Sequence, residues 1–105
     1  MAMRTLSVAV TRQHDTVVLH PRGDVDHDSA PALTGVLEEI DQPWRSLAVD
    51  LSSVPFMDSA GLHALLSLER RCRDRGVPLT LTGVGEQPGR LLELVGLAGF
   101  FTVAR

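Results

Sequence analysis

At 105 residues the chain is one small domain, too short for a second core and for most multi-domain enzymes. Hydrophobic residues make up 44% and charged residues 22%, which sets aside disordered, collagen-like and coiled-coil classes. Ten basic against thirteen acidic residues leave a formal charge of -3, so the chain carries no electrostatic footprint for nucleic acid or an anionic membrane, and protein partners are expected.

Every basic residue is an arginine; no lysine occurs. The single cysteine, Cys72, excludes an internal disulfide and any cysteine-based zinc site, and fits a reducing compartment. The N-terminal Met1-Ala2-Met3-Arg4-Thr5 lacks a long apolar core, and no run reaches the ~18 apolar residues of a spanning helix. The expectation is a soluble, unexported, cytoplasmic protein with no membrane contact and no cofactor.

From Thr5 to Thr11, Leu6, Val8 and Val10 alternate with smaller or polar residues, the period of a half-buried strand. After the polar turn Arg12-Gln13-His14, the run Asp15 to His20 supplies its antiparallel partner, and Pro21-Arg22-Gly23-Asp24 breaks it. Leu33, Val36, Leu37 and Ile40 then share one helical face, with Asp28 and Ser29 as cap candidates and Pro31 near the first turn; this helix should stop before Gln42-Pro43. Leu47 to Leu51 reads as a buried strand.

A longer helix starts near Ser59, with Leu62, Leu65, Leu66, Glu69 and Cys72 along its stripe and Gly76 where a left-handed cap is wanted. Val77 to Thr82 alternates as a strand, Gly83 to Gly89 reads as loop, Arg90 to Val95 as a short helix ended by Gly96, and Phe100 to Val103 as a last strand. The order ββαβαβαβ implies an α/β domain whose mixed sheet opens with an antiparallel hairpin, continues with parallel strands and is backed by helices.

The stretch Leu47 to Leu66 joins a strand, a turn and a helix, and functional groups in open α/β sheets gather beyond the carboxyl ends of parallel strands. Ser59 falls there, as a helix N-cap or as something more reactive. A nucleophile elbow is one reading of Met57-Asp58-Ser59-Ala60-Gly61, but Met57 replaces the first glycine of that motif, and the only later histidine, His63, precedes Asp74 instead of following a distal acid. A phospho-aspartate receiver built on Asp50 would need a lysine near its last strand. Gly83-Val84-Gly85 with Gly89 has the wrong spacing for a dinucleotide fingerprint. Asp24, Asp26, His27 and Asp28 resemble a cation loop in composition, but lack the glycine and distal glutamate of an EF-hand and read as a solvated turn.

Two segments resemble the STAS domain, and within it the bacterial anti-sigma factor antagonists. Gly23-Asp24-Val25-Asp26 followed by a helix is similar to that family's G-[ED]-[LIV]-D motif, and Val49-Asp50-Leu51 through Phe56-Met57-Asp58-Ser59-Ala60-Gly61-Leu62 is similar to its D-L-S-x-V-x-F-x-D-S-[SAT]-G-L signature. The resemblance implies partner switching without catalysis by this chain. The serine matching Ser59 is phosphorylated by an anti-sigma factor that is itself a GHKL-type kinase; the unphosphorylated form binds that kinase and frees the sigma factor, and a PP2C-type phosphatase resets the switch. Asp26 and Asp58 match acidic positions beside the serine, and Asp24, Asp26, Asp58, Ser59, Ala60 and Gly61 are the expected partner-binding residues. A constitutive STAS scaffold, a subunit of a lipid transporter or stress complex in which Ser59 only caps a helix, is the alternative. The family usually adds an amphipathic helix after the last strand, whereas only Thr102 to Arg105 follow Phe101 here, so an apolar strip at Phe100 and Phe101 is expected to favour weak homodimerisation.

Overall fold

The computed structural model describes residues 6–41 and 43–104. The expected order is observed: β1 (Ser7–Gln13), β2 (Thr16–Arg22), α1 (Ala30–Gly35), a 3-10 turn (Val36–Glu39), β3 (Ser46–Asp50), α2 (Ser59–Asp74), β4 (Leu79–Thr82), α3 (Glu86–Leu94) and β5 (Thr102–Ala104). The five strands form one sheet in chain order, β1 antiparallel to β2 and the rest parallel. Each crossover from β2 onward steps one strand in the same direction. Right-handed crossovers of that kind put all the helices on one face.

The side-chain pattern agrees. Val17 and Leu19 of β2, Leu47 and Val49 of β3, and Leu79 and Leu81 of β4 lie in register across the strands and are buried under the helices. Alternate residues turn to the other face, which is small and polar: Thr16, Val18 and His20 beside Ser46, Ala48 and Asp50, then Thr80 and Thr82. There the Thr16 and Ser46 hydroxyls meet at 2.6 Å. The helical layer completes the core with Leu33, Leu37, Leu62, Leu65, Leu68 and Leu92.

Several boundaries differ from the sequence reading. The hairpin turn is His14–Asp15, so β1 runs on to Gln13 and β2 to Arg22; His14 takes the left-handed conformation the tight turn demands. Thr5, the expected start of β1, and Gln42, one of the expected helix stops, lie outside the described residues. Pro21 is tolerated inside β2 because the β3 ladder has ended at Leu19. The first helix is not continuous to Ile40: it tightens to 3-10 geometry at Val36. α3 begins at Glu86, inside the expected loop, and β5 begins at Thr102 instead of Phe100.

α2 packs through Gly61, Leu62, Ala64, Leu65, Leu68 and Cys72, so its inward stripe runs through Leu68, while Leu66 and Glu69 lie at its margin. The helix ends at Gly76 with φ 70, as its left-handed cap position requires. Burial pushes the Cys72 thiol up to about 11, leaving it a packing group. The expected apolar strip near the C-terminus is half formed: Phe101 is 5% exposed and receives Phe100 edge-on at 5.2 Å, whereas Phe100 is 46% exposed.

Candidate functional site

Beyond the carboxyl ends of β2 and β3, the two motif segments meet. The Gly23 amide donates to the Ser53 carbonyl at 3.0 Å, the Val25 amide to the Phe56 carbonyl at 3.0 Å, and the Asp58 amide to the Val25 carbonyl at 3.2 Å. Val25 and Met57 therefore pair as a one-residue parallel bridge, with both side chains fully buried. Alternation about Val25 leaves Asp24 and Asp26 partly exposed on either side of it. The pairing explains why two motifs far apart in the chain lie side by side.

Asp58 caps α2. Its Oδ1 accepts from the Ala60 amide at 2.9 Å and the Gly61 amide at 3.2 Å, and its carbonyl takes the Leu62 amide at 3.0 Å. Ser59 is thus the first residue of the helix and not its cap, which corrects the reading of Ser59 as a capping group. Its side chain is exposed, and among the described residues its hydroxyl has no hydrogen-bond partner. Ala60 is partly exposed. Gly61 is buried, and a Cβ there would stand 2.7 Å from the Val25 carbonyl oxygen, so its place is in the joint between the segments.

The acidic turn is organised by its own hydrogen bonds. Asp26 Oδ1 accepts from the amides of Asp28 and Ser29, each at 3.0 Å, while Ser29 Oγ accepts from the Asp26 amide at 2.9 Å and donates to the Asp24 carbonyl at 2.9 Å. This is the reciprocal arrangement of a capping box, set one turn ahead of α1. Ser29, through its amide first and its hydroxyl second, holds the Asp26 carboxyl below the usual carboxylate range. Among the described residues no cluster of three or more acidic, histidine or cysteine side chains is arranged to hold a metal ion. A shallow groove of about 310 Å³ opens beside Ser59 between α1 and α2, lined by His27, Ala30, Pro31, Ala60, His63 and Ala64.

Asp50, at the end of β3, has a different role from the residues around Ser59. Its Oδ1 accepts from the Ser52 amide at 3.0 Å and its Oδ2 pairs with His20 Nδ1 at 3.0 Å, while His20 Nε2 meets Thr11 Oγ1 at 2.9 Å. The carboxyl is held below its ordinary value, chiefly by Ser52 and then by His20. A depressed folded-state pKa stabilises above the ordinary carboxylate pKa, and that contribution is lost as pH falls through the folded value. Asp50→Asn is therefore expected to cost about 1 kcal/mol at pH 7. The difference from the native chain should shrink in urea unfolding curves as pH falls below the ordinary carboxylate range, and vanish once the folded carboxyl is protonated. A constant difference down to low pH would remove the charge from the account.

The sequence pattern of the STAS domain matches residues 7–105. The chain belongs to the STAS domain family. The anti-sigma-B factor antagonist of Staphylococcus aureus (strain NCTC 8325) is 30% identical over 93 residues, covering 88% of this STAS chain and 86% of its own length. An anti-sigma factor antagonist from Mycobacterium paratuberculosis superposes with TM-score 0.80 at 26% identity, covering 93% of this chain and 84% of its own. A sulfate transporter family protein from Wolinella succinogenes gives 0.75 at 26% identity over 89% of this chain and 79% of its own. Among the described residues no helix is long and apolar enough to cross a membrane.

The sequence reading missed two contacts of this STAS domain. One is the His20–Asp50 pair, which only the β2–β3 register creates. The other is Gln87 of α3, whose side chain reaches the Met57 peptide from the opposite side to Val25.

Proposed function

We propose that this STAS domain is an anti-sigma factor antagonist that works by partner switching in the cytoplasm, with Ser59 as the residue whose phosphorylation turns it off. The observation that carries the reading is an exposed serine hydroxyl with no hydrogen-bond partner among the described residues, fixed at the first position of α2 by the Asp58 cap and the Val25–Met57 bridge. The names of the S. aureus and M. paratuberculosis relatives support the same role.

The chain itself supplies presentation and no catalysis. A GHKL-type anti-sigma kinase brings ATP, Mg²⁺ and the base. The Ser59 O–H bond and the γ-phosphorus bond to the bridging oxygen break, the Oγ–P bond forms, ADP leaves, and the proton passes to the kinase. A PP2C-type phosphatase reverses the state by hydrolysis. The partner surface combines Ser59 and Ala60 with the flanking carboxylates Asp24, Asp26 and Asp58 and the groove between His27 and His63.

The Asp58 cap sharpens the switch. A phosphate adds about 1.5 to 2 negative charges, and a free helix N-terminus would neutralise part of them through its orphan amides. Here the Ala60 and Gly61 amides already belong to the Asp58 carboxylate. The phosphate stays in solvent next to that carboxylate, so its charge must be met by the partner.

A comparative capture from native lysate tests the reading, with wild type, Ser59→Ala and Ser59→Asp as baits and mass spectrometry as the readout. A GHKL-type kinase retained by the first two and lost from the third is the expected result. Identical partners on all three baits would favour a constitutive scaffold, the role that the transporter-family likeness brings to mind.

A further inference from the structure

Phe56 to Asp58 is a single extended step held from both edges. On one edge the Phe56 carbonyl and the Asp58 amide bond to Val25. On the other, the Met57 amide donates to Gln87 Oε1 at 2.8 Å and the Met57 carbonyl accepts from Gln87 Nε2 at 2.9 Å. A carboxamide in this orientation reproduces the donor and acceptor of a neighbouring strand. α3 thereby supplies by one side chain what no strand supplies there, and it does so two residues before Ser59.

We propose that Gln87 is a positioning residue for the phosphoacceptor, fixing the segment that leads into Asp58 and Ser59 so that the kinase meets it already ordered. This rests on the reading of Ser59 given above. The anchoring is deliberate in its geometry: Gly85 caps α3 and Pro88 is buried, so the backbone on both sides of Gln87 is fixed while its own side chain lies half-buried and turned to Met57. Without the carboxamide, Met57 keeps its buried side chain in the core, but its peptide loses both protein partners. The segment is then tethered on the Val25 edge alone, and a docking kinase must order it at the cost of affinity. A glutamate in the same place accepts from the Met57 amide, yet when ionised it sets a carboxylate against the Met57 carbonyl; an alanine provides neither bond.

The test uses the full chain as wild type, Gln87→Ala and Gln87→Glu, with the kinase retained by the Ser59→Ala bait. Amide hydrogen exchange by NMR is read at Met57 and at Val49 in β3, and steady-state phosphorylation gives KM and kcat for the chain as substrate. Gln87→Ala is expected to lose at least tenfold of the Met57 protection while Val49 stays within threefold, and to raise KM about fivefold to tenfold with kcat within threefold. Gln87→Glu should fall between the two at neutral pH, and its Met57 protection factor should recover towards wild type as the glutamate protonates on acidification. Unchanged KM in Gln87→Ala, or Met57 and Val49 protection falling together, overturns the positioning role while leaving Ser59 as the acceptor. A wild-type chain that takes no phosphate at all fails the Ser59 reading, and the role of Gln87 falls with it.

Discussion

Ser59→Asp is expected to weaken binding to the anti-sigma kinase by at least a hundredfold, about 2.8 kcal/mol, while leaving the fold intact. The two halves of that expectation have separate causes. Within the folded chain, a carboxylate at the first position of α2 gains about 0.3 to 1 kcal/mol from the helix dipole and loses a comparable amount to the nearby, solvent-screened charge of Asp58. The melting temperature should therefore move by no more than a few degrees. At the proposed interface the new charge is added to those of Asp24, Asp26 and Asp58, and it must be desolvated there with the Ala60 and Gly61 amides already taken by Asp58. Like charges forced together in a complex cost several kcal/mol.

Titration calorimetry with the captured kinase, beside thermal unfolding of the free variant, checks both halves. Asp carries one charge where phosphoserine carries about 1.5 to 2, so phosphorylation should exceed the effect of the substitution. An affinity loss below threefold, with an unchanged fold, would place the switch elsewhere on the molecule. A loss of affinity accompanied by a large fall in melting temperature would instead mean that the charge breaks the Asp58 cap.

The elements that repeat a strong period were legible in the sequence. α2 carries an apolar face over four turns and ends on Gly76, and both its start and its stop were readable. The second half of α3 and its stop at Gly96 were readable as well, but its start was not, because Gly85, Pro88 and Gly89 look like breakers one by one. In the structure Gly85 is the N-cap, and Pro88 lies in the first turn, where the missing amide would have had no helical partner. A proline in the first turn beside Glu86 was the available signal.

At the site, residue type and motif pointed to Ser59 but could not assign the cap. Asp58 and Ser59 are both good capping residues, and the choice depends on backbone angles: Asp58 is extended and Ser59 already helical. The Val25–Met57 bridge, the Gln87 contact and the His20–Asp50 pair join residues about thirty positions apart, and local pattern carries no information about such pairs. Only the register of the sheet and the docking of α3 create them.

Gly61→Ala should destabilise the chain, against the usual sign for a helix interior. In an exposed helix, alanine for glycine gains about 1 kcal/mol from propensity. At Gly61 the new methyl would lie 2.7 Å from the Val25 carbonyl oxygen and 3.0 Å from Met57 Cβ. The carbonyl has little freedom to retreat, since it accepts the Asp58 amide that joins the two motif segments. Overpacking of this kind costs about 1 to 3 kcal/mol, and with a backbone oxygen as the obstacle the upper part of that range applies, so the steric cost exceeds the propensity gain. A net loss of about 1 to 2 kcal/mol corresponds to a fall of roughly 5 to 15 °C in the melting temperature of a domain this size. Gly35→Ala is the matching control, because a Cβ at Gly35 meets nothing within 4 Å and its backbone angles are already helical. It should be neutral or slightly stabilising. The Gly61 variant should also lose amide protection first at Asp58, whose bond to Val25 is the one the methyl pries open, and should bind the kinase less tightly even where enough of it remains folded. A stabilised Gly61→Ala would show that α2 can shift away from Val25 at no cost, and the two motif segments would then be neighbours without being a joint.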